Sequence, residues 1–246
     1  MSKGVYSMIC SFTQTYSNNR NELFTYHNKD NVDIHFRNKL DKNYYAFHNS
    51  PNSYIENICE QTYFKKINNM EIITYNDISY TQSWFHTLHK LKNDGVKYLF
   101  FLQDDVFSQV NDNILDELLI FIKNNEFDML NIEHLNIDIE KPVIYSHDNI
   151  KIYDTKSDDF SKKNLWEFDD GPYVANIDFL LNVVYDDAYF TKDDIWIAEP
   201  YLNNKIHVNK IQRLSSNFSM FKRFNIVGKN AWWREYELQI LNSFHK

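Results

Sequence analysis

The chain has 246 residues, 43% of them hydrophobic and 17% aromatic, which is enough to bury one sizeable core or at most two small ones. A net charge of −8 argues against a general nucleic-acid binder. The two cysteines, Cys10 and Cys59, exclude a disulfide framework and lack metal-site spacing, so a reducing, cytoplasmic setting is expected. Only Gly4, Gly95, Gly171 and Gly228 occur, and such scattered glycines cannot build a dinucleotide fingerprint or a P-loop. No apolar run approaches membrane-spanning length, and the first residues lack a signal peptide's apolar core.

In chain order, residues 5–13 (VYSMICSFT) read as a first buried strand, followed by a polar loop over 14–21 and a short helix through Tyr26. Residues 43–47 form a second strand that ends in His48-Asn49-Ser50-Pro51. Tyr54, Ile58, Cys59 and Tyr63 give 53–68 near-helical spacing, and 70–75 is a third strand ending in Asn76-Asp77. A helix is predicted over 81–93, with Trp84, Phe85, Leu88 and Leu91 on one face and Gly95 just past its end. Residues 98–102 are then apolar on both faces, the mark of a central strand in a parallel sheet covered on each side. A helix over 113–123 and a strand over 127–132 complete a β-α alternation typical of an α/β domain.

The second half is less regular. Residues 137–152 read as short strands or a hairpin, 154–163 as a charged loop, and 176–184 and 195–202 as helices. Trp233, Tyr236, Ile240, Leu241 and Phe244 form an apolar stripe near the C-terminus. Residues 201–234 carry Lys205, Lys210, Arg213, Lys222, Arg223, Lys229 and Arg234 and no acid. This segment is read either as a site for an anionic partner such as a diphosphate or as a solvated face balancing the acidic loops.

Asp104 and Asp105 follow the central strand directly, at the edge where open α/β sheets bind ligands. Paired carboxylates there suit a hard divalent cation bridging phosphate oxygens; a solvated turn or a helix cap accounts for the same pair. Asp193-Asp194 before Ile195 has two readings as well, a catalytic carboxylate or a helix cap.

The order of these pieces resembles the GT-A glycosyltransferases, especially the small inverting enzymes of the family-2 type. His48-Asn49-Ser50 stands where the family has an Asp-Gly-Ser-like nucleotide loop, and Asn76-Asp77-Ile78 where it has Asn-x-Gly. Phe100-Phe101-Leu102-Gln103-Asp104-Asp105 matches its strand ending in Asp-x-Asp, and Phe190-Thr191-Lys192-Asp193-Asp194-Ile195-Trp196 its later aromatic and Glu-Asp pair. The match spans residues 5–202. It departs at Gln103, which replaces the first Asp of the metal motif, at the missing glycine after Asn76, and at Asp193, which replaces Glu.

The resemblance implies a single domain over 1–246 with a GT-A, Rossmann-like, mainly parallel central sheet flanked by helices. A nucleotide-sugar-binding half would cover 1–132, and an acceptor-side half with a C-terminal helix 133–246. It implies a metal-dependent, inverting transfer of sugar from a nucleotide diphosphate, a UDP-sugar foremost, to a glycan or glycoconjugate hydroxyl. Asp105, Asp104 and His207 would hold Mn2+ or Mg2+. Ser11, Thr13, Asn49, Asn76, Gln103 and Asp104 would face the donor, and Asp170, Gly171 and Trp196 the acceptor. Asp194, with Asp193 as alternate, would be the base. Two other classes stay open: a metal-dependent nucleotidyltransferase or phosphodiesterase, and a non-catalytic carbohydrate- or nucleotide-binding module on a decayed transferase fold.

Overall fold

The structure is a computed structural model that describes residues 8–15, 31–78, 80–104, 106–132, 142–148, 150–155, 172–184, 213–216 and 220–223. The chain forms β1 (Met8–Thr15), α1 (Asn31–Asn38), β2 (Lys42–His48), α2 (Asn52–Cys59), α3 (Thr62–Lys66) and β3 (Met70–Tyr75). Then follow α4 (Tyr80–Asn93), β4 (Val96–Gln103), β5 (Val106–Ser108), α5 (Asp112–Asn124) and β6 (Met129–Asn131). The remainder gives β7 (Val143–His147), β8 (Ile150–Thr155), β9 (Tyr173–Asn176), α6 (Ile177–Phe179) running into a π-turn (Leu180–Val184), β10 (Arg213–Ser216) and β11 (Phe221–Arg223).

One nine-stranded sheet has the order β3-β2-β1-β4-β9-β6-β10-β8-β7. β3, β2, β1 and β4 are mutually parallel. β9 runs against both β4 and β6, and β8 runs against β10 and β7. β11 pairs antiparallel with β5 in a separate two-stranded ladder.

Alternation along β4 explains its central place. Leu99 and Phe101 join Cys10, Phe12, Trp84, Leu88 and Leu91 in the core under α4. Tyr98, Phe100 and Leu102 join Phe36, Leu115, Leu118 and Ile122 on the opposite face, under α1 and α5. A strand buried on both faces has no solvent side for a polar residue, hence the unbroken apolar run. Gly95 ends α4 with φ +87°, a left-handed conformation, although nothing lies near enough to exclude a side chain; the backbone requires the glycine.

Several expectations are corrected. The helical spacing over 53–68 is two helices, broken where Gln61 takes an extended conformation. An unbroken helix set by Ile55 and Ile58 would bring Lys65 or Lys66 inward; the break turns Tyr63 and Phe64 to the core instead. β9 was not anticipated, and it places an antiparallel strand beside the central one. The following helix starts at Ile177, with Asn176 capping it by accepting from the Asp178 N–H at 2.8 Å. The 137–152 segment contains the β7–β8 hairpin. The expected helices ending at Tyr26 and covering 195–202, most of the 154–163 loop and the C-terminal stripe lie outside the described residues.

An ion-pair cluster closes the opposite, amino-terminal edge. Asp94 Oδ2 accepts from Tyr44 Oη at 2.6 Å, Lys90 Nζ at 3.1 Å and Lys42 Nζ at 3.2 Å. The Tyr44 hydrogen bond foremost, then the lysines, hold the Asp94 carboxyl at about 2, below its ordinary 3.8, against the opposing effect of burial. A carboxyl depressed in the fold stabilises fully above its unfolded value and loses that stabilisation as pH falls through about 2. Asp94→Asn is therefore expected to cost about 1–2 kcal/mol at neutral pH, discounted for partial exposure, with the gap closing as pH falls below about 4. Urea midpoints of both proteins at several pH values check this; a gap constant with pH removes the assignment.

Candidate active site

The chain runs β1, β2, β3 in one direction across the sheet and then returns to place β4 on the other side of β1. In open α/β sheets such a reversal is where ligands bind, beyond the carboxyl ends of the strands, here β1 and β4. Gln14 and Gln103 are register partners there. One residue on, Thr15 Oγ1 donates to Asp104 Oδ2 at 2.5 Å, and Asp104 is only 6% exposed. A buried carboxylate is thus held at the switch point by a hydroxyl from the neighbouring strand. Burial pushes the Tyr45 hydroxyl up, and the Asp104 charge adds to the shift, which keeps Tyr45 a neutral phenol. Gln14 Nε2 donates to Ser83 Oγ of α4 at 3.1 Å; its buried Oε1 has no partner among the described residues.

The loops after β2 and β3 are tied to each other. Asn49 has φ +50° and Asp77 φ +59°, left-handed values that Asn and Asp tolerate better than most residues. Asn49 N donates to Tyr75 O at 2.7 Å, and its Oδ1 accepts from Asp77 N at 3.1 Å. His48 Nε2 donates to Ile78 O at 3.0 Å, which fixes its tautomer. Asn49, which stands where the resemblance has a glycine, takes up left-handed backbone in its place; in the second loop the left-handed residue is Asp77, one position before the one aligned with glycine.

Beneath this edge lies a charged network that the sequence did not announce. Asp33 and Arg37, one helical turn apart on α1, are fully buried and paired Oδ2 to Nε at 2.9 Å. Asp33 also accepts from Tyr63 Oη at 2.7 Å and from the Ser108 N–H at 2.9 Å. Arg37 Nη1 donates to Thr13 Oγ1 at 3.1 Å and Ser11 Oγ at 3.3 Å. Burial works against the Arg37 charge, yet Tyr63 and Asp33 beside it hold the guanidinium above its usual range. The network joins α1 to β1, to α3 and to β5, the strand that leaves the Asp104-Asp105 pair.

Of the residues singled out in the sequence, Asp104 and Gln103 lie at the end of β4, with Gln103 half-buried. Ser11 and Thr13 are buried and hold Arg37; Asn49 braces Asp77; Asn76 is exposed. Asp105, Asp170, Gly171, Asp193, Asp194, Trp196 and His207 lie outside the described residues. Sequence reasoning missed Thr15, because the first strand was expected to end at Thr13, and missed Asp33 and Arg37. Part of the basic segment returns to this edge: Arg223 stands opposite Val106, and Lys222 opposite Phe107, in the β11–β5 register.

No family model matches the sequence, and no curated protein matches it. Solved structures do. S. aureus TarS is similar at 11% identity and TM-score 0.55, over 96% of this chain and 42% of that one. TarS 1–349 in complex with UDP is similar at 11% identity and TM-score 0.54, over 87% of this chain and 59% of that one. The 4-diphosphocytidyl-2C-methyl-D-erythritol synthase of Anaerococcus prevotii DSM 20548 is similar at 9% identity and TM-score 0.53, over 98% and 97%. The chain therefore spans less than two thirds of the TarS structures it matches. At such identities the likeness is one of fold, and the fold is GT-A-like. No helix among the described residues is long and apolar enough to cross a membrane.

Proposed function

We propose that this chain is a metal-dependent glycosyltransferase that moves a sugar from a UDP-sugar donor to a hydroxyl of a glycan or glycoconjugate. The observation that carries the reading is the Asp104 carboxylate, buried and held by Thr15 at the β1/β4 switch point of a GT-A-like sheet. Its oxygen donors, with Asp105 next in the chain, suit Mn2+ or Mg2+, and His207 would complete the set. When bound, such an ion neutralises charge on the leaving diphosphate.

The chain's own residues do the rest. Gln103 offers the donor ribose a neutral amide. Backbone pairing brings the basic positions 222 and 223 beside the strand that follows Asp105, in keeping with an anionic donor. Asp194, with Asp193 as alternate, takes the proton from the acceptor hydroxyl on the far side of the anomeric carbon, which gives inversion. Asp170, Gly171 and Trp196 position the acceptor, and a cytoplasmic setting goes with this reading.

A second reading is a nucleotidyltransferase. It is favoured by the end-to-end likeness to the Anaerococcus synthase, which matches this chain over nearly the whole of both. The two separate in a thermal-shift screen of UDP, UDP-sugars and CTP, each with and without Mn2+. The transferase reading expects UDP and one UDP-sugar to stabilise by about 5 °C at roughly 100 Kd, only with metal. Stabilisation by CTP alone would move the assignment to nucleotidyl transfer, and no response to any nucleotide would leave a module that binds neither.

A further inference from the structure

We propose that Glu117, His147 and Asp148 form a second divalent-cation site, of the zinc type, that fastens the β7–β8 hairpin to α5. Their ligand atoms all lie within 4.8 Å of one another. His147 Nδ1 stands 3.6 Å from Glu117 Oε2, too long for a hydrogen bond but close to the separation of two ligands on one small cation. With metal–ligand bonds of about 2.1 Å, tetrahedral neighbours sit roughly 3.4 Å apart, so the imidazole and the Glu117 carboxylate need almost no movement. Asp148, on the exposed turn, lies within 4.8 Å of both and closes by at most roughly 1.4 Å to reach that spacing.

Packing and strand register set these groups opposite one another. Phe121 and Tyr145 pack with ring centroids 5.0 Å apart, locking α5 against β7 one step below. From Phe121 back to Glu117 is four helical residues, about 6 Å of rise. From Tyr145 on to His147 is two strand residues, about 6.6 Å. The two steps nearly match, so contact at one level sets Glu117 opposite His147 at the next. Pairing fixes the strand as well: Tyr145 is opposite Ile152 and His147 opposite Ile150, and both isoleucines are fully buried. Glu117 is seated in the wall with its side chain 12% exposed, whereas His147 is 57% exposed, which gives an ion an entry from solvent.

One imidazole with two carboxylates at a short separation suits zinc and its first-row neighbours. β7 is the outer strand of the sheet, with Val143 49% and Ile144 46% exposed, and a clamp at its end resists fraying there. In the sheet order β7 is five strand positions from β4, about 24 Å, so the site is separate from the Asp104 edge and independent of the proposed function.

The test uses the full chain stripped of metal by chelator and titrated with ZnCl2 alone. Zinc is expected to raise Tm by about 5 °C at roughly 100 Kd, with no comparable shift from MgCl2 or CaCl2. Glu117→Gln and His147→Ala should each weaken zinc binding at least about 10-fold. Co2+ in place of zinc should give a visible absorption band that His147→Ala abolishes, a signal that does not depend on stability. In the Asp105→Ala protein, which lacks the ligand proposed for the ion at the sheet edge, both responses should persist and still depend on His147. Absence of any zinc shift in the wild type, a shift unchanged in His147→Ala, or one abolished by Asp105→Ala each overturns the proposal.

Discussion

Asp33→Ala is expected to destabilise the protein by about 3–5 kcal/mol, a large part of the stability of an ordinary domain. Asp33 meets three donors at once: the Arg37 guanidinium, the Tyr63 hydroxyl and the Ser108 N–H. Its removal leaves Arg37, 1% exposed, with neutral hydroxyls, those of Ser11, Thr13 and Tyr63, and no anion among these partners. A buried cation without its anion carries a desolvation cost that neutral hydroxyls do not offset. Arg37→Met should cost less, because the Asp33 carboxylate keeps Tyr63 and Ser108 as donors. Removing both charges in Asp33→Leu/Arg37→Met should recover about 1–3 kcal/mol relative to Asp33→Ala, since a buried pair gains little over apolar side chains that fill its space. Urea unfolding of the three variants gives the order directly. A loss below about 1 kcal/mol in Asp33→Ala would show that this network does not carry the fold.

The same pair shows why part of the site was illegible in the sequence. Asp33 and Arg37 stand four residues apart, a spacing that ordinarily marks a solvated ion pair on a helix surface. Only Ile34 and Phe36 join them on the buried side of α1, too few apolar residues for a helical period to register. What turns the charged face inward is tertiary: Ser11, Thr13 and Thr15 alternate along β1 and present a polar track to α1, while Cys10 and Phe12 face α4. β4 was legible because two-sided burial demands a continuous apolar run, and β3 because it is bounded by turn residues on both sides. β5, β9 and β11 are strands of three or four residues that exist only through pairing with partners distant in the chain. Asp104 could be placed from its position after β4. Thr15, which holds it, could not, because nothing in residues 14–21 separates the last strand residues from the loop.

Asp105→Ala is expected to abolish metal-dependent UDP binding and to slow sugar transfer by about 100- to 1,000-fold or more, with the fold intact. Under the proposed function Asp105 is the carboxylate that reaches the ion, while Asp104 is held from behind. Thr15→Val tests that division. It keeps the volume at a buried position but removes the hydroxyl that donates to Asp104 Oδ2 at 2.5 Å, so the carboxylate loses a fixed hydrogen bond, not its charge. Loss of a group that orients a ligand costs about 10-fold in metal affinity, well short of losing the ligand itself. Asp194→Asn completes the comparison: as the base it should stop transfer while leaving donor affinity near that of the wild type, because proton removal contributes only once the acceptor reacts. The measurements are calorimetric UDP affinity with and without Mn2+, and transfer rate, on all three variants beside the wild type. Equal metal-dependent affinity in Asp105→Ala takes Asp105 out of the site. A Thr15→Val protein indistinguishable from wild type means that backbone geometry alone aims Asp104. Normal turnover in Asp194→Asn transfers the role of base to Asp193, or, if Asp193→Asn is active too, to Asp170.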